Sequence, residues 1–190
     1  MTLTVTDDDG GIASDTLTVT VTKKVNIIPI DDSFTDQRIW YRSYGSANTL
    51  MAYNSTRWDR YIWLKFDVSE VSAAAVTSAI LKLHVDTSWG MSSPENREFG
   101  AYLGEDGWDE MSINWSNQPG MVADPEDTVI SPMNGSVIEL DVIDLVTSEA
   151  DGDDVLTVVI KSEEMYSSDF LSAYSKENPD ELQPYLEIES

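Results

Sequence analysis

Residues 38–66 concentrate the side chains best suited to chemistry. They hold Trp40, Tyr41, Tyr44, Tyr53, Trp58, Tyr61, Trp63 and Phe66 together with Arg38, Arg42, Arg57, Arg60 and Lys65, against one acid, Asp59. Elsewhere the chain is strongly acidic, with 35 Asp and Glu against 11 Lys and Arg and a formal net charge of −24. The segment's five bases and one acid give +4, which leaves −28 for the other 161 residues. Aromatic rings offer flat apolar faces to the C–H faces of sugars, and guanidinium forks match a carboxylate with two parallel donors. The mixture suits a surface that stacks on sugars and pairs with the carboxylates of uronic acids. The same rings also suit the core or corners of a β-sandwich, and Arg60 suits a structural ion pair.

Other chemistries find little support. The chain has no cysteine and one histidine, His84, so neither a zinc-thiolate site nor a Ser-His-Asp arrangement is indicated. Carboxylate pairs occur throughout so acidic a chain, and an Asp/Glu pair for glycoside hydrolysis therefore carries no weight. The reading is not an enzyme. Phosphate backbones are repelled, which disfavours nucleic acid. No apolar run reaches the roughly 20 residues that span a bilayer. Calcium is a candidate structural cofactor, because Asp31, Asp32, Asp36, Asn48 and Glu177 fall in loops of the kind that supply hard oxygen ligands. No EF-hand spacing is present, and a solvated acidic rim is the competing reading.

These groups must be positioned by strands. "TLTVT", "DDDGG" and "DTLTVTVT" read as a β-hairpin over residues 1–22, with Leu3, Val5, Leu17, Val19 and Val21 on one face. "KKVNIIPI" at 23–30 is a linker or a first strand. Strand patterns then recur at 49–54, 61–68, 78–86, 99–105, 137–142, 155–162, 169–175 and 184–189, with one short helix at 142–149. The expected fold is all-β: a jelly-roll-like antiparallel β-sandwich over 31–190, with one short helix and an N-terminal hairpin appendage. Alternation assigns faces. Ile62, Leu64, Phe66 and Val68 point inward, leaving Tyr61, Trp63 and Lys65 outward; Leu81, Leu83 and Val85 point inward, leaving Lys82 and His84 outward. If these strands pair, Trp63 lies near Lys82 or His84. The expected binding face is therefore Trp63, Tyr61, Trp40, Tyr41, Arg42, Trp58, Arg60, Lys82 and His84.

Several ordered motifs resemble one family. "DDSFTDQ", "YGSANTLMAY", "DRYIWLKFDVSEV", "VTSAILKLHV", "GWDEMSINWSNQPG", "ELDVIDLV" and "AYSKENPDELQPYLEIE" follow in the sequence of elements of a DNRLRE domain, also called a disaggregatase-related repeat. Residues 31–189 resemble it through Arg60, Asp67, Trp108, Glu110, Trp115, Asn117, Asp141 and Glu177 among others. The resemblance implies a jelly-roll-like sandwich, attachment to polysaccharide-active or cell-surface proteins, and polysaccharide binding, acidic polymers such as alginate included, without catalysis. Its Trp108 and Trp115 signature is expected to fix a loop; Trp89, beside Gly90, suits either role. "VTDDDGGIASDTLTVTV" resembles the end of a polycystic-kidney-disease (PKD) repeat. Together these imply a monomeric module cut from a longer secreted or cell-surface polypeptide with neighbouring modules. A structural spacer or adhesion module without a sugar ligand is the alternative.

Overall fold

The computed structural model describes residues 2–6, 8–16, 22–86, 98–130, 136–163, 170–179 and 182–190. Trp89 and the hairpin positions Leu17, Val19 and Val21 lie outside them. The hairpin pairs β1 (Thr2–Thr6) with β2 (Ile12–Thr16), Thr2 opposite Thr16, so the return strand begins at Ile12 rather than at Asp15.

The rest of the described chain is an antiparallel β-sandwich. One sheet has five strands: β4 (Asp31–Asp36), β6 (Arg60–Asp67), β11 (Val155–Ser162), β8 (Glu98–Gly104) and β9 (Asp127–Ile130), in that spatial order. The other has four: β10 (Val137–Asp141), β7 (Ser78–His84), β13 (Tyr185–Glu189) and β3 (Lys24–Ile27). A short pair, β5 (Thr49–Ala52) with β12 (Leu171–Tyr174), completes the strands, and one α-helix, α1 (Ile143–Ala150), follows β10. Successive strands commonly change sheets, as in a jelly roll. Residues 23–30 supply a first strand, closed onto the last residue by Lys23 N–H to Ser190 O at 2.7 Å.

Alternation sets the core. Ile62, Leu64 and Phe66 of β6 and Leu156, Val158 and Ile160 of β11 meet Leu81 and Leu83 of β7 and Leu186 of β13 in one buried cluster.

The opposite face of the five-stranded sheet is not open to water. Residues 105–122 fold back over it, and Trp63, Tyr102, Trp108, Ile113 and Val159 form a second buried cluster. Trp63 is 0% exposed, which corrects its assignment to an open binding face. Its indole N–H donates to Thr35 Oγ1 at 3.3 Å, and that of Trp108 donates to Thr157 Oγ1 at 3.1 Å, so both rings are buried with their polar atom satisfied. Lys65 holds the covering segment down: its ammonium donates to the Trp108 carbonyl and, at 3.1 Å, to Asp31, and lies 4.5 Å from the Trp108 ring centroid. Gly104 makes room, because a Cβ there would come within 2.7 Å of Thr157 Cγ2 and 3.1 Å of a Trp63 ring carbon. A second correction follows from topology. β6 and β7 belong to different sheets, so Lys82 and His84 lie away from Trp63.

Trp63→Ala is expected to destabilise the domain by about 3–5 kcal/mol, whereas Trp40→Ala, on the surface, is expected to stay within about 0.5 kcal/mol. Guanidinium unfolding midpoints of the two variants give the comparison. Equal, small shifts would remove the covered-face description.

Candidate functional site

Two turns carry the aromatic and basic segment. The first follows β4. Asp36 closes the strand, and its Oδ1 accepts from the amides of Arg38 (2.8 Å) and Ile39 (3.4 Å), capping a single 3-10 turn at Gln37–Ile39. Trp40 and Tyr41 come next, edge to face at 5.5 Å between centroids. They are 56% and 68% exposed, unusual for large rings on a folded surface. The Trp40 carbonyl accepts from the amide of Ser116 at 3.2 Å, which fixes the turn to the covering segment.

The second turn, residues 54–59, links β5 to β6. Ser55 Oγ donates to the Trp58 carbonyl at 2.8 Å and accepts from the amides of Arg57 and Trp58. Gln37 joins the two turns: its amide donates to Asp59 O at 3.0 Å, and its Oε1 accepts from the Asp59 amide at 3.0 Å. Trp58 is half-buried against Tyr53 at 4.4 Å, with the Arg38 guanidinium 5.0 Å and that of Arg60 4.9 Å from its ring centroid. Arg42 lies over Tyr44 at 4.9 Å. Tyr53, Ser55, Thr56, Arg57 and Trp58 line a hollow of about 340 Å³.

Arg60 is committed elsewhere. Its Nε and Nη2 donate to Asp36 Oδ2 at 2.9 and 2.8 Å, and the carboxylate is 0% exposed. Arg60 is therefore a structural partner of Asp36 that also backs Trp58. Arg38, Arg42 and Arg57 are exposed and form no ion pair among the described residues. Arg38, Arg57 and Tyr53 were outside the expected set; a guanidinium two residues before an exposed Trp was the sequence signal for the first.

The remaining expected positions fall apart spatially. Tyr61 is half-buried against Trp115 at 5.0 Å, so its ring packs the covering segment. Lys82 sits between Glu139 (3.0 Å) and Glu187 (3.2 Å) on the outer face of the four-stranded sheet, and His84 lies 6.1 Å from Tyr185 there. Neither joins the 36–59 surface, because that sheet faces the other way.

The expected cation ligands do not converge either. Asp31 is held by Lys65 and Asp36 by Arg60, while Asn48 is exposed and its carbonyl accepts from the Ser175 amide at 3.1 Å. Glu177 instead meets Asp32 and Glu110, a carboxylate oxygen of each lying within 4.8 Å of the others. Burial first, and then the Glu177 charge, push Asp32 up to about 8.

Burial, reinforced by Asp59, pushes the Tyr61 phenol up to about 12. Tyr102 is raised further, by burial and by its 2.5 Å bond to Glu163. Both phenols keep their proton in the folded state beyond the ordinary value of 10.0. Their contribution to stability is thus complete below that value and is lost as pH rises through the folded one. Spectrophotometric titration is expected to show late-ionising tyrosines, one of which disappears in Tyr61→Phe. Asp36→Ala, which unpairs Arg60 and uncaps the first turn, is expected to cost about 3–5 kcal/mol in urea unfolding. A cost below about 1 kcal/mol would mean that the two turns hold without it.

No curated protein matches the chain in sequence. A family model does, over residues 23–190, from the first residue that pairs with the closing strand to the last residue of the sandwich. By that match the chain belongs to carbohydrate-binding module family 96.

Proposed function

We propose that this carbohydrate-binding module holds a polysaccharide on the surface built by the 36–42 and 54–59 turns. The observation that carries the reading is the pair Trp40 and Tyr41, more than half exposed on a turn whose backbone is pinned by Asp36, Gln37 and Ser116. Rings presented on a fixed base stack on sugar faces without an ordering cost at the moment of binding. Beside them the hollow at Trp58 accepts a further sugar ring, with the Ser55 and Thr56 hydroxyls and the Arg57 guanidinium at its edge. Arg38, Arg42 and Arg57 bring positive charge with no carboxylate of the described residues to neutralise it. That favours an acidic polymer, in which uronate groups supply the missing partners.

The module grips its ligand and does not transform it. Asp59, the acid within the segment, is engaged by the Ser55 amide and the Tyr61 hydroxyl and is not free to act on a glycosidic bond. The DNRLRE likeness supports a place in a secreted or cell-surface polypeptide, working as a monomer, and the PKD-like hairpin supports neighbouring modules of the stalk type. Affinity per module is expected at roughly micromolar to millimolar.

Affinity electrophoresis and calorimetry against alginate and a neutral glucan test this. Trp40→Ala/Tyr41→Ala is expected to weaken alginate binding about tenfold or more, the loss of two stacking contacts, with an unchanged melting temperature. Arg42→Ala is expected to weaken it less and to flatten its salt dependence. Wild-type binding retained by the double variant would exclude this surface; no binding to any polymer would favour the spacer reading.

A further inference from the structure

We infer that Asp32, Glu110 and Glu177 form a site for one divalent, oxygen-preferring cation that fastens the closing loop of the sandwich to its first core strand. The three residues come from separate parts of the chain. Asp32 lies in β4, Glu110 in the covering segment, and Glu177 in the loop between β12 and β13. Oxygens about 2.4 Å from a single hard ion are at most about 4.8 Å apart, and one carboxylate oxygen of each residue meets that limit with the others.

Two buried oxygens of this cluster lack a hydrogen-bond donor. Asp32 is 1% exposed. Its Oδ2 accepts from the Lys176 amide at 2.7 Å, but its Oδ1, although buried, meets no donor. Glu177 Oε2 is buried and without a donor as well. Buried oxygens of this kind are rare because each loses its water without replacement. A cation between them supplies the missing partner to both.

Charge selects the valence. In the ion-bound site all three carboxylates are ionised, and the Lys176 ammonium, 2.7 Å from Glu110 Oε2 and 3.1 Å from Glu177 Oε1, balances one of their three charges. Two remain, and one divalent ion cancels them. Ligand type selects the element class: the three side chains offer oxygen only, which suits calcium-like ions rather than zinc or copper. The surroundings are built to hold Glu110 still. Ser43 Oγ donates to its carbonyl at 3.0 Å, and Gly45 packs so closely that a Cβ there would sit 2.1 Å from that oxygen. The Asp32 amide also points at Glu110 Oε2, at 3.4 Å. The site stands apart from the sugar-facing rings and does not depend on that reading.

The test uses the whole chain, stripped with a chelator and titrated with calcium chloride in 0.5 M sodium chloride, so that diffuse binding to the acidic surface is screened. Calorimetry is expected to show saturable one-site binding. At a hundredfold excess of calcium over its dissociation constant the melting temperature should rise by about 5–10 °C. Glu177→Gln and, separately, Glu110→Gln should each weaken calcium binding about tenfold or more. Glu149→Gln, in the other carboxylate cluster with Asp106 and Asp153, should leave it unchanged. The inference is overturned by an absent or unsaturable calcium response, by an undiminished response in both Glu177→Gln and Glu110→Gln, or by loss of the response in Glu149→Gln instead. Should Glu177→Gln fail to fold, Glu110→Gln decides alone.

Discussion

The carboxylate of Asp36 ends a strand, caps a turn and neutralises a guanidinium at once. A fully buried carboxylate is costly unless its oxygens are satisfied, and here one oxygen takes two backbone amides while the other takes the Arg60 fork. Both candidate turns are anchored to it: the 3-10 turn directly, and the 54–59 turn through Arg60 at the start of β6 and the Gln37 bonds to Asp59. Exposed rings are usually a liability. Here they sit on a base that cannot relax to bury them, since the turn beneath Trp40 and Tyr41 is fixed at Asp36 on one side and at Ser116 on the other.

Placement of the opposite sheet face follows from the same economy of charge. Asp31 and Asp36 stand at the two ends of β4, and Arg60 and Lys65 at the two ends of the paired stretch of β6; antiparallel register sets Asp31 against Lys65 and Asp36 against Arg60. Each acid meets a base directly across the ladder, where opposite charges stabilise a pair. Lys65 then reaches beyond the strand to the Trp108 carbonyl and ring, tethering residues 105–122 over Trp63. The strands beneath that segment are thereby buried on both faces, unusual for an antiparallel sheet with so much outward polarity in its sequence.

This explains which parts were legible in the residue order. Strands with clean period-two alternation, such as Ser78–His84 and Tyr185–Glu189, announced both their extent and their inward set, because one face meets the core and the other meets water. The helix was equally plain from Val142, Leu145 and Val146. Asp127–Ile130 gave no signal, being a four-residue edge strand with no fully buried side chain. Trp63 was assigned to the wrong environment for a definite reason: alternation states which residues leave the core face, not what a loop 40 residues later lays over them. Asp31 and Asp36 read as loop acids, although they stand in β4, for a related one. Their five-residue spacing matches that of Arg60 and Lys65, a sign of cross-strand pairing readable only once the two strands are taken as neighbours.

A protein of net charge −24 that grips an acidic polymer presents an electrostatic difficulty, and its resolution is local. At physiological salt, charges more than about 8 Å apart are largely screened, so the acids spread over the rest of the sandwich weigh little against guanidinium groups in direct contact with the ligand. Arg38, Arg42 and Arg57 sit on turns whose acid, Asp59, is drawn into bonds with Ser55 and Tyr61, and Asp36 is spent on Arg60. The positive patch persists because every carboxylate in its own turns is consumed internally. At low ionic strength the long-range field returns and opposes a polyanion, so binding should pass through a maximum with salt instead of falling steadily from the lowest concentration. Stacking rings and a few unneutralised guanidinium groups in contact with the ligand keep their grip once the distant acids are screened.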